Sequence, residues 1–212
     1  MNILFICEID WIKKPVLDTH LLAEALSLRG HNVYAIDYES MWEGKRKTAK
    51  ELDVVRALPN AKVHLIRPNF IRVPILSRAS AFWNHHWEIG KVIKEKKIDV
   101  IILYSVPTKG LQTAYWAKKF GIPVVFRSID VLNQLIPNRM LSMITKILEK
   151  KVYSSMDAVL TLTPKLSDYI IGMGTKPEKV SVLPIPVDAN VFYPKDAGTC
   201  REKWGLEPDD KV

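Results

Sequence analysis

Cysteine is almost missing from this 212-residue sequence, which has only Cys7 and Cys200. One sits in an apolar run and the other in a polar tail, which gives neither a disulfide framework nor the spacing of metal ligands. Long hydrophobic runs are missing too: no apolar stretch approaches the roughly 18 to 20 residues that span a bilayer. The opening Met1-Asn2-Ile3-Leu4-Phe5-Ile6-Cys7 lacks a basic n-region and runs straight into Glu8 and Asp10. It reads as a first strand, not a signal peptide, and with the sparse cysteine it points to a reducing, cytoplasmic setting. The G-x-G-x-x-G, P-loop, H-E-x-x-H and G-x-S-x-G signatures are all absent, and with them the carriers of dinucleotide, P-loop, zinc-protease and α/β-hydrolase chemistry. Five histidines are scattered along the chain. The adjacent pair His85-His86 falls in a helical pattern, where neighbours point about 100° apart and cannot share a metal. Neither a metal site nor a bound cofactor is expected.

What is present is the composition of an ordinary globular protein, 48% apolar and 25% charged, long enough to bury one sizeable core. Its 31 Lys and Arg against 23 Asp and Glu leave a net charge of +8. Such a balance admits a nucleic-acid module. Against it, aromatics are not interleaved with basic residues along strands and no nucleic-acid-binding signature occurs, so no specific nucleic-acid partner is expected. The pairs Lys13-Lys14 and Lys150-Lys151 and the runs Lys45-Arg46-Lys47 and Lys94–Lys97 are the usual solvated faces. Residues 70–87 are less ordinary. Phe70-Ile71-Arg72-Val73-Pro74-Ile75-Leu76-Ser77-Arg78, followed by Phe82, Trp83 and Trp87, mixes basic with large apolar side chains. That mixture suits either peripheral contact with an anionic membrane or core packing under a helix.

Short β-branched runs alternate with segments of three- and four-residue apolar spacing, the signature of βαβ units and a mostly parallel, doubly wound sheet. Seven strands are predicted: Ile3–Cys7, Val33–Asp37, Val63–Ile66, Val100–Tyr104, Val124–Arg127, Ala158–Thr161 and Val180–Leu183. The stripe Leu17, Leu21, Ala25, Leu28, with Pro15 before it and Gly30 after it, predicts the first helix. Further helices are predicted over Thr48–Leu58, Ser77–Lys96, Gly110–Phe120, Asn138–Ser154 and Lys165–Met173. In such folds ligands bind beyond the carboxyl ends of the strands. The candidate functional loops are therefore Glu8–Asp18, Ser105–Lys109, Ser128–Asn138 and Leu162–Lys165. Residues 1–190 read as one Rossmann-like domain and 191–212 as a linker, with Glu207-Pro208-Asp209-Asp210-Lys211-Val212 a turn that leads toward a further strand.

Four stretches together resemble the amino-terminal half of the retaining GT-B glycosyltransferases of the "group 1", family four class. They are Gly30-His31-Asn32-Val33-Tyr34, Gly121-Ile122-Pro123-Val124-Val125-Phe126, Asp157-Ala158-Val159-Leu160-Thr161-Leu162-Thr163, and Lys179-Val180-Ser181-Val182-Leu183-Pro184-Ile185-Pro186-Val187-Asp188 continued by Phe192-Tyr193-Pro194. The resemblance covers nearly the whole chain in the expected order. It implies a Rossmann-like acceptor-binding domain, inactive alone, with a nucleotide-sugar donor held mainly by a second domain and a sugar or lipid-linked acceptor. Glycosyltransferases with lipid-linked acceptors often have surfaces like residues 70–87. A complete single-domain Rossmann-like protein acting on another small molecule is the alternative reading.

The sequence departs from that family at three places. Lys13 and Lys14 stand where a Gly-Gly pair usually allows close backbone approach to the ligand; two ammonium groups attract a phosphate or acidic sugar by charge instead. Ile129 replaces the frequent histidine, leaving Asp130 as the candidate catalytic group, able to hydrogen-bond a sugar hydroxyl or stabilise an oxocarbenium-like transition state. Pro184-Ile185-Pro186-Val187-Asp188 loses an Asn-Gly turn but keeps a bend. The candidate acceptor-binding residues are Lys13, Lys14, Asp18, Tyr104, Ser105, Arg127 and Ser128.

Overall fold

A computed structural model describes residues 1–39, 50–71, 73, 76–187, 189, 192–194, 198–207 and 209–211. Its strands are β1 (Asn2–Ile6), β2 (Asn32–Ile36), β3 (Lys50–Val54), β4 (Val63–Arg67), β5 (Val100–Leu103), β6 (Val124–Ser128), β7 (Ala158–Thr161) and β8 (Val180–Val182). The helices are α1 (Asp18–Leu28), α2 (Leu76–Glu95), α3 (Gly110–Phe120), α4 (Arg139–Ser154), α5 (Pro164–Gly172) and α6 (Gly198–Trp204). One sheet runs β3-β4-β2-β1-β5-β6-β7-β8, parallel throughout except for the β3–β4 pair.

Alternation along the strands divides the core. Ile3 and Phe5 of β1, with Val33, Ala35, Val63 and Leu65, pack against Ala23 of α1. Leu4 and Ile6, with Ile101, Leu103, Val124, Phe126 and Val159, face the other way into a larger cluster. That cluster takes Ile89 and Ile93 from α2, Trp116 and Ala117 from α3, Val152 and Tyr153 from α4, and Leu166 and Ile170 from α5. The chain winds outward from β1 to β2 and β4, then returns to β5 and winds the other way. Right-handed crossovers therefore put α1 on one face and α2 to α5 on the other. Close helix contact depends on glycine: a Cβ on Gly90 of α2 would meet the Trp116 ring of α3 at 2.6 Å, and one on Gly110 of α3 would meet Val152 of α4 at 2.8 Å. Gly121 closes α3 with a left-handed φ of 67°, which glycine adopts without steric cost.

Two expectations are corrected. The described part of the segment Thr48–Leu58 is not helical: Lys50–Val54 is β3, an antiparallel edge strand, and residues 48 and 49 lie outside the described residues. Among the described residues the sheet therefore has eight strands rather than seven. β3 alternates charged with apolar residues, and Asp53 pairs with Lys62 at 3.0 Å on the open edge. Charged side chains on an edge discourage further strand addition. Helix α1 exists, but Leu17 and Leu28 of its predicted apolar stripe are exposed. The buried face is Thr19, His20, Ala23 and Glu24. Polar groups win this face because each has a partner: His20 bonds the Trp11 carbonyl oxygen, and the Glu24 carboxylate accepts from the Arg56, Ala57 and Leu58 N–H groups at 2.5, 2.9 and 2.6 Å.

Candidate functional site

The winding reverses between β1 and β5, the switch point of a doubly wound sheet, and the loops beyond its carboxyl end frame a cleft of about 900 Å³. Glu8 comes from the loop after β1, Phe82 and Trp83 from α2, Thr108 from the loop after β5, Leu132 from the segment after β6 and Leu141 from α4. The Glu8 carboxylate accepts a hydrogen bond from the Thr108 N–H at 2.6 Å, which ties the first two loops together at the floor. Aromatic and aliphatic walls around a few fixed polar groups suit a ligand that carries both hydroxyls and apolar faces.

Three of the sequence-predicted site residues converge. The Arg127 guanidinium donates from Nε to Asp18 Oδ2 at 3.1 Å, and the Tyr104 hydroxyl lies 3.5 Å from the same oxygen. Arg127 is 1% exposed and also donates to the carbonyl oxygens of Leu183, of Pro184 at 3.3 Å and of Thr161 at 3.5 Å. It thus joins the start of α1 to the ends of β6, β7 and β8 and anchors the segment that leaves the sheet. Burial, followed by the Asp18 charge, pushes the Tyr104 phenol well above its ordinary range and keeps it a neutral donor. Ser105 is buried and accepts the Lys109 N–H at 3.2 Å; Ser128 is buried at the end of β6.

The other candidates stand apart from that knot. Lys13 and Lys14 are exposed on the loop between β1 and α1. Asp130 is exposed on the loop after β6, just before a 3-10 turn over Leu132–Leu135 whose N-cap residue is Val131, so it does not cap that turn. His85, the first of the adjacent histidine pair, is fully buried on α2. Burial, with the Lys109 charge nearby, pushes it down to about 2 and keeps the ring neutral. Phe82, Trp83 and Trp87 are exposed, whereas Phe70 is buried; Arg72, Pro74 and Ile75 lie outside the described residues, as do Lys45-Arg46-Lys47 and Asp188.

Sequence reasoning missed the groups that hold these loops. Under the loop after β1, Arg67 of β4 donates to Asp10 Oδ1 at 2.6 Å and to Asp37 Oδ2 at 2.7 Å, all three being buried. Asp37 also accepts the Trp11 N–H at 3.0 Å, and Asp10 accepts the Lys13 N–H at 3.0 Å. Burial pushes Asp37 up to about 6 against the pull of Arg67, of the Trp11 N–H and of Lys109. For Asp10, burial is outweighed by the Lys13 N–H and Arg67, and the carboxyl falls below its ordinary range. The buried Lys109 ammonium donates to the Cys7 and Asp37 carbonyls at 2.5 and 2.8 Å. From outside, the Arg56 guanidinium grips the carbonyls of Trp11 and Ile12, and that of Lys14 at 2.8 Å. In the segment after β6, the buried Glu149 of α4 accepts the Leu132 N–H at 2.9 Å and the Asn133 side-chain amide at 2.6 Å, and it also accepts the Tyr153 hydroxyl at 3.0 Å. Glu149 had one readable signal, its place on the same helix face as Thr145, Val152 and Tyr153, all buried. Among the described residues no group of His, Cys, Asp or Glu is arranged to hold a metal ion, and no helix is long and apolar enough to cross a membrane.

A doubly wound α/β domain with its cleft at the switch point is the architecture of one half of a GT-B glycosyltransferase. The chain belongs to Glycosyltransferase Family 4, whose model matches residues 19–191. A comparison with curated proteins found no match. Among solved structures, the chain is similar to sucrose-phosphate synthase from Thermosynechococcus elongatus at 16% identity and TM-score 0.66, covering 99% of this chain and 53% of that one. It is also similar to Alr3699/HepE from Anabaena, solved in complex with UDP, at 16% identity and TM-score 0.60, covering 97% and 50%. UDP-N-acetylglucosamine 2-epimerase matches at 11% identity and TM-score 0.55, over 86% and 47%. At these identities the likeness shows the fold. The chain spans about half the length of each of these structures.

Proposed function

We propose that this chain is the acceptor-binding half of a glycosyltransferase that moves a sugar, with retention of configuration, from a nucleotide-sugar donor to a sugar or lipid-linked acceptor. The observation that carries the reading is the cleft itself, a largely apolar cavity with a few polar groups at the switch point in a chain of Glycosyltransferase Family 4. Phe82 and Trp83 offer faces on which a sugar ring can stack. On this reading Asp130 hydrogen-bonds a sugar hydroxyl or stabilises positive charge that develops at the anomeric carbon, and its exposure leaves it open to do so. Lys13 and Lys14 attract the acidic part of a ligand by charge. Asp18, Tyr104, Ser105, Arg127 and Ser128 set the loops in place around it. The donor is held mainly by a second domain reached through residues 191–212, so the half alone transfers nothing. Residues 70–87 provide peripheral contact at the inner face of the membrane, and the protein works in the cytoplasm. The nucleotide sugar bound by HepE supports the donor class.

Sugar transfer, assayed over a panel of UDP-, GDP- and ADP-sugars, tests the reading when the 212 residues are compared with the longest product of their gene. Transfer by the longer product alone is expected. Transfer by the 212 residues, or by neither protein with any donor, would count against the division of labour.

A further inference from the structure

A belt of aromatic rings leads out of the cleft, along the helix layer, to a second cavity. Helices α2 and α3 both run away from the carboxyl ends of the strands, and the belt follows them. Phe82 and Trp83 of α2 stand at the cleft. Trp87 lies one turn further on, about 6 Å along the helix axis. The two tryptophans are 63% and 64% exposed. The half-buried His86 carries the belt across to α3: its ring centroid lies 5.2 Å from that of Trp87 and 5.5 Å from that of the exposed Tyr115. Tyr115 in turn lines the second cavity, of about 690 Å³. Val124, the first residue of β6, and Asp157, just before β7, also line it, so it opens at the amino ends of the strands, opposite the cleft. Lys118 of α3, Lys151 of α4 and, beyond α4, Ser155 and Asp157 are exposed around it. The Asp157 carboxylate is fixed there by the Val124 N–H at 2.8 Å.

We infer that the belt and the cavity at its end bind the outer units of an oligosaccharide whose terminal sugar occupies the cleft, so that the acceptor is a chain of sugars and not a single one. The inference rests on the acceptor reading for what enters the cleft, and goes beyond it in naming the size of the acceptor. A sugar ring presents C–H faces that stack on indole and phenol rings, and hydroxyl edges that need hydrogen-bond partners. The belt supplies the stacking faces, and the polar groups around the second cavity supply the partners. Two features favour this occupant. The belt is continuous with the cleft through Trp83, which belongs to both. It also ends in a cavity: a flat bilayer or a second copy of the chain would meet the rings without entering either hollow, whereas a linear ligand uses cleft, belt and second cavity together. With Trp83 and Trp87 given to the acceptor, the exposed Ile71, Val73 and Leu76 remain for the bilayer contact of residues 70–87.

The test is titration of the 212-residue protein, followed by tryptophan fluorescence, with linear disaccharides and hexasaccharides of glucose, mannose, galactose, N-acetylglucosamine or galacturonic acid. For at least one of these sugars the hexasaccharide is expected to bind about tenfold tighter than the disaccharide. Trp87→Ala with Tyr115→Ala should remove that advantage and leave the affinity for the disaccharide unchanged, which also shows that the variant is folded. In the parent protein, backbone amide resonances of His86, Tyr115 and Lys118 should shift saturably with the hexasaccharide and not with the disaccharide. Hexasaccharides that bind no tighter than disaccharides, that do not bind, or that keep their advantage in the variant overturn the inference. A protein dimer in light scattering that Trp87→Ala with Tyr115→Ala disperses assigns the belt to a second copy and overturns it as well. Transfer by the longest gene product is read separately. No transfer to any acceptor, with the hexasaccharide still bound more tightly, counts against the transferase reading and not against the belt; transfer to short acceptors without a hexasaccharide advantage counts against the belt alone.

Discussion

Replacing Arg127 with methionine is expected to cost about 3–5 kcal/mol of unfolding free energy, read from urea denaturation. The guanidinium is buried, as is the Asp18 carboxylate it faces at 3.1 Å. Methionine fills much of the same space but leaves that carboxylate, among the described residues, with the Tyr104 hydroxyl at 3.5 Å, and removes the donor to the carbonyls of Thr161, Leu183 and Pro184. An unpaired buried charge dominates the loss, so Arg127→Met combined with Asp18→Asn should recover part of it. A lysine cannot substitute: one ammonium cannot reach an acceptor on α1 and three carbonyls at the ends of β7 and β8 together. A loss below about 1 kcal/mol for Arg127→Met would show that water reaches the site and that the guanidinium does not join α1 to the end of β8.

The second large effect falls on activity and leaves stability alone. Asp130→Asn should lower transfer by the longest gene product by about a hundredfold or more, the usual cost of removing one positioned group that stabilises transition-state charge. Unfolding of the variant should stay within about 0.5 kcal/mol of the parent, because Asp130 is exposed and does not cap the turn that follows it. Activity within a few-fold of the parent would remove Asp130 from the chemistry. The pairing of a silent stability effect with a large kinetic one is what separates this residue from Arg127, although only two positions lie between them.

The residues that announced themselves in the sequence are those whose local pattern matches their tertiary role. The apolar runs of β1, β5 and β6 are covered by helices on at least one face, and their β-branched content shows it. Strand β3 was illegible because an edge strand carries charge: Lys-Glu-Leu-Asp-Val reads as a polar helix until β4 is beside it. The face of α1 was misread for a related reason. Leu17, Leu21, Ala25 and Leu28 are the apolar choice, but the loops before α1 and after β3 offer hydrogen-bond partners that draw Thr19, His20 and Glu24 inward.

Within the site, Asp18, Tyr104 and Arg127 could be nominated from their positions beside strand ends, and the structure joins them. Their joining role could not be read, since it depends on carbonyls of Leu183 and Pro184, more than fifty residues away from Arg127. Arg67 bonds Asp10 and Asp37, and Lys109 bonds the carbonyls of Asp37 and Cys7, across separations of 30 to 102 residues, and no local pattern encodes such a network. The outward face of α4, where Met140, Met143 and Ile147 are exposed, was hidden by ordinary amphipathic spacing. Helix periodicity does not say which of two faces meets the core when Glu149, a carboxylate, is on the buried one.

The most direct measurement titrates the isotope-labelled 212-residue protein with glycoside acceptors and with UDP-glucose, following backbone amide resonances. Saturable shifts at Glu8, Thr108 and Asp130 with an acceptor, and no saturable response to UDP-glucose, are expected of an acceptor half. Saturable UDP-glucose binding at these positions, with no response to any acceptor, would contradict it and make the chain a nucleotide-binding domain in its own right.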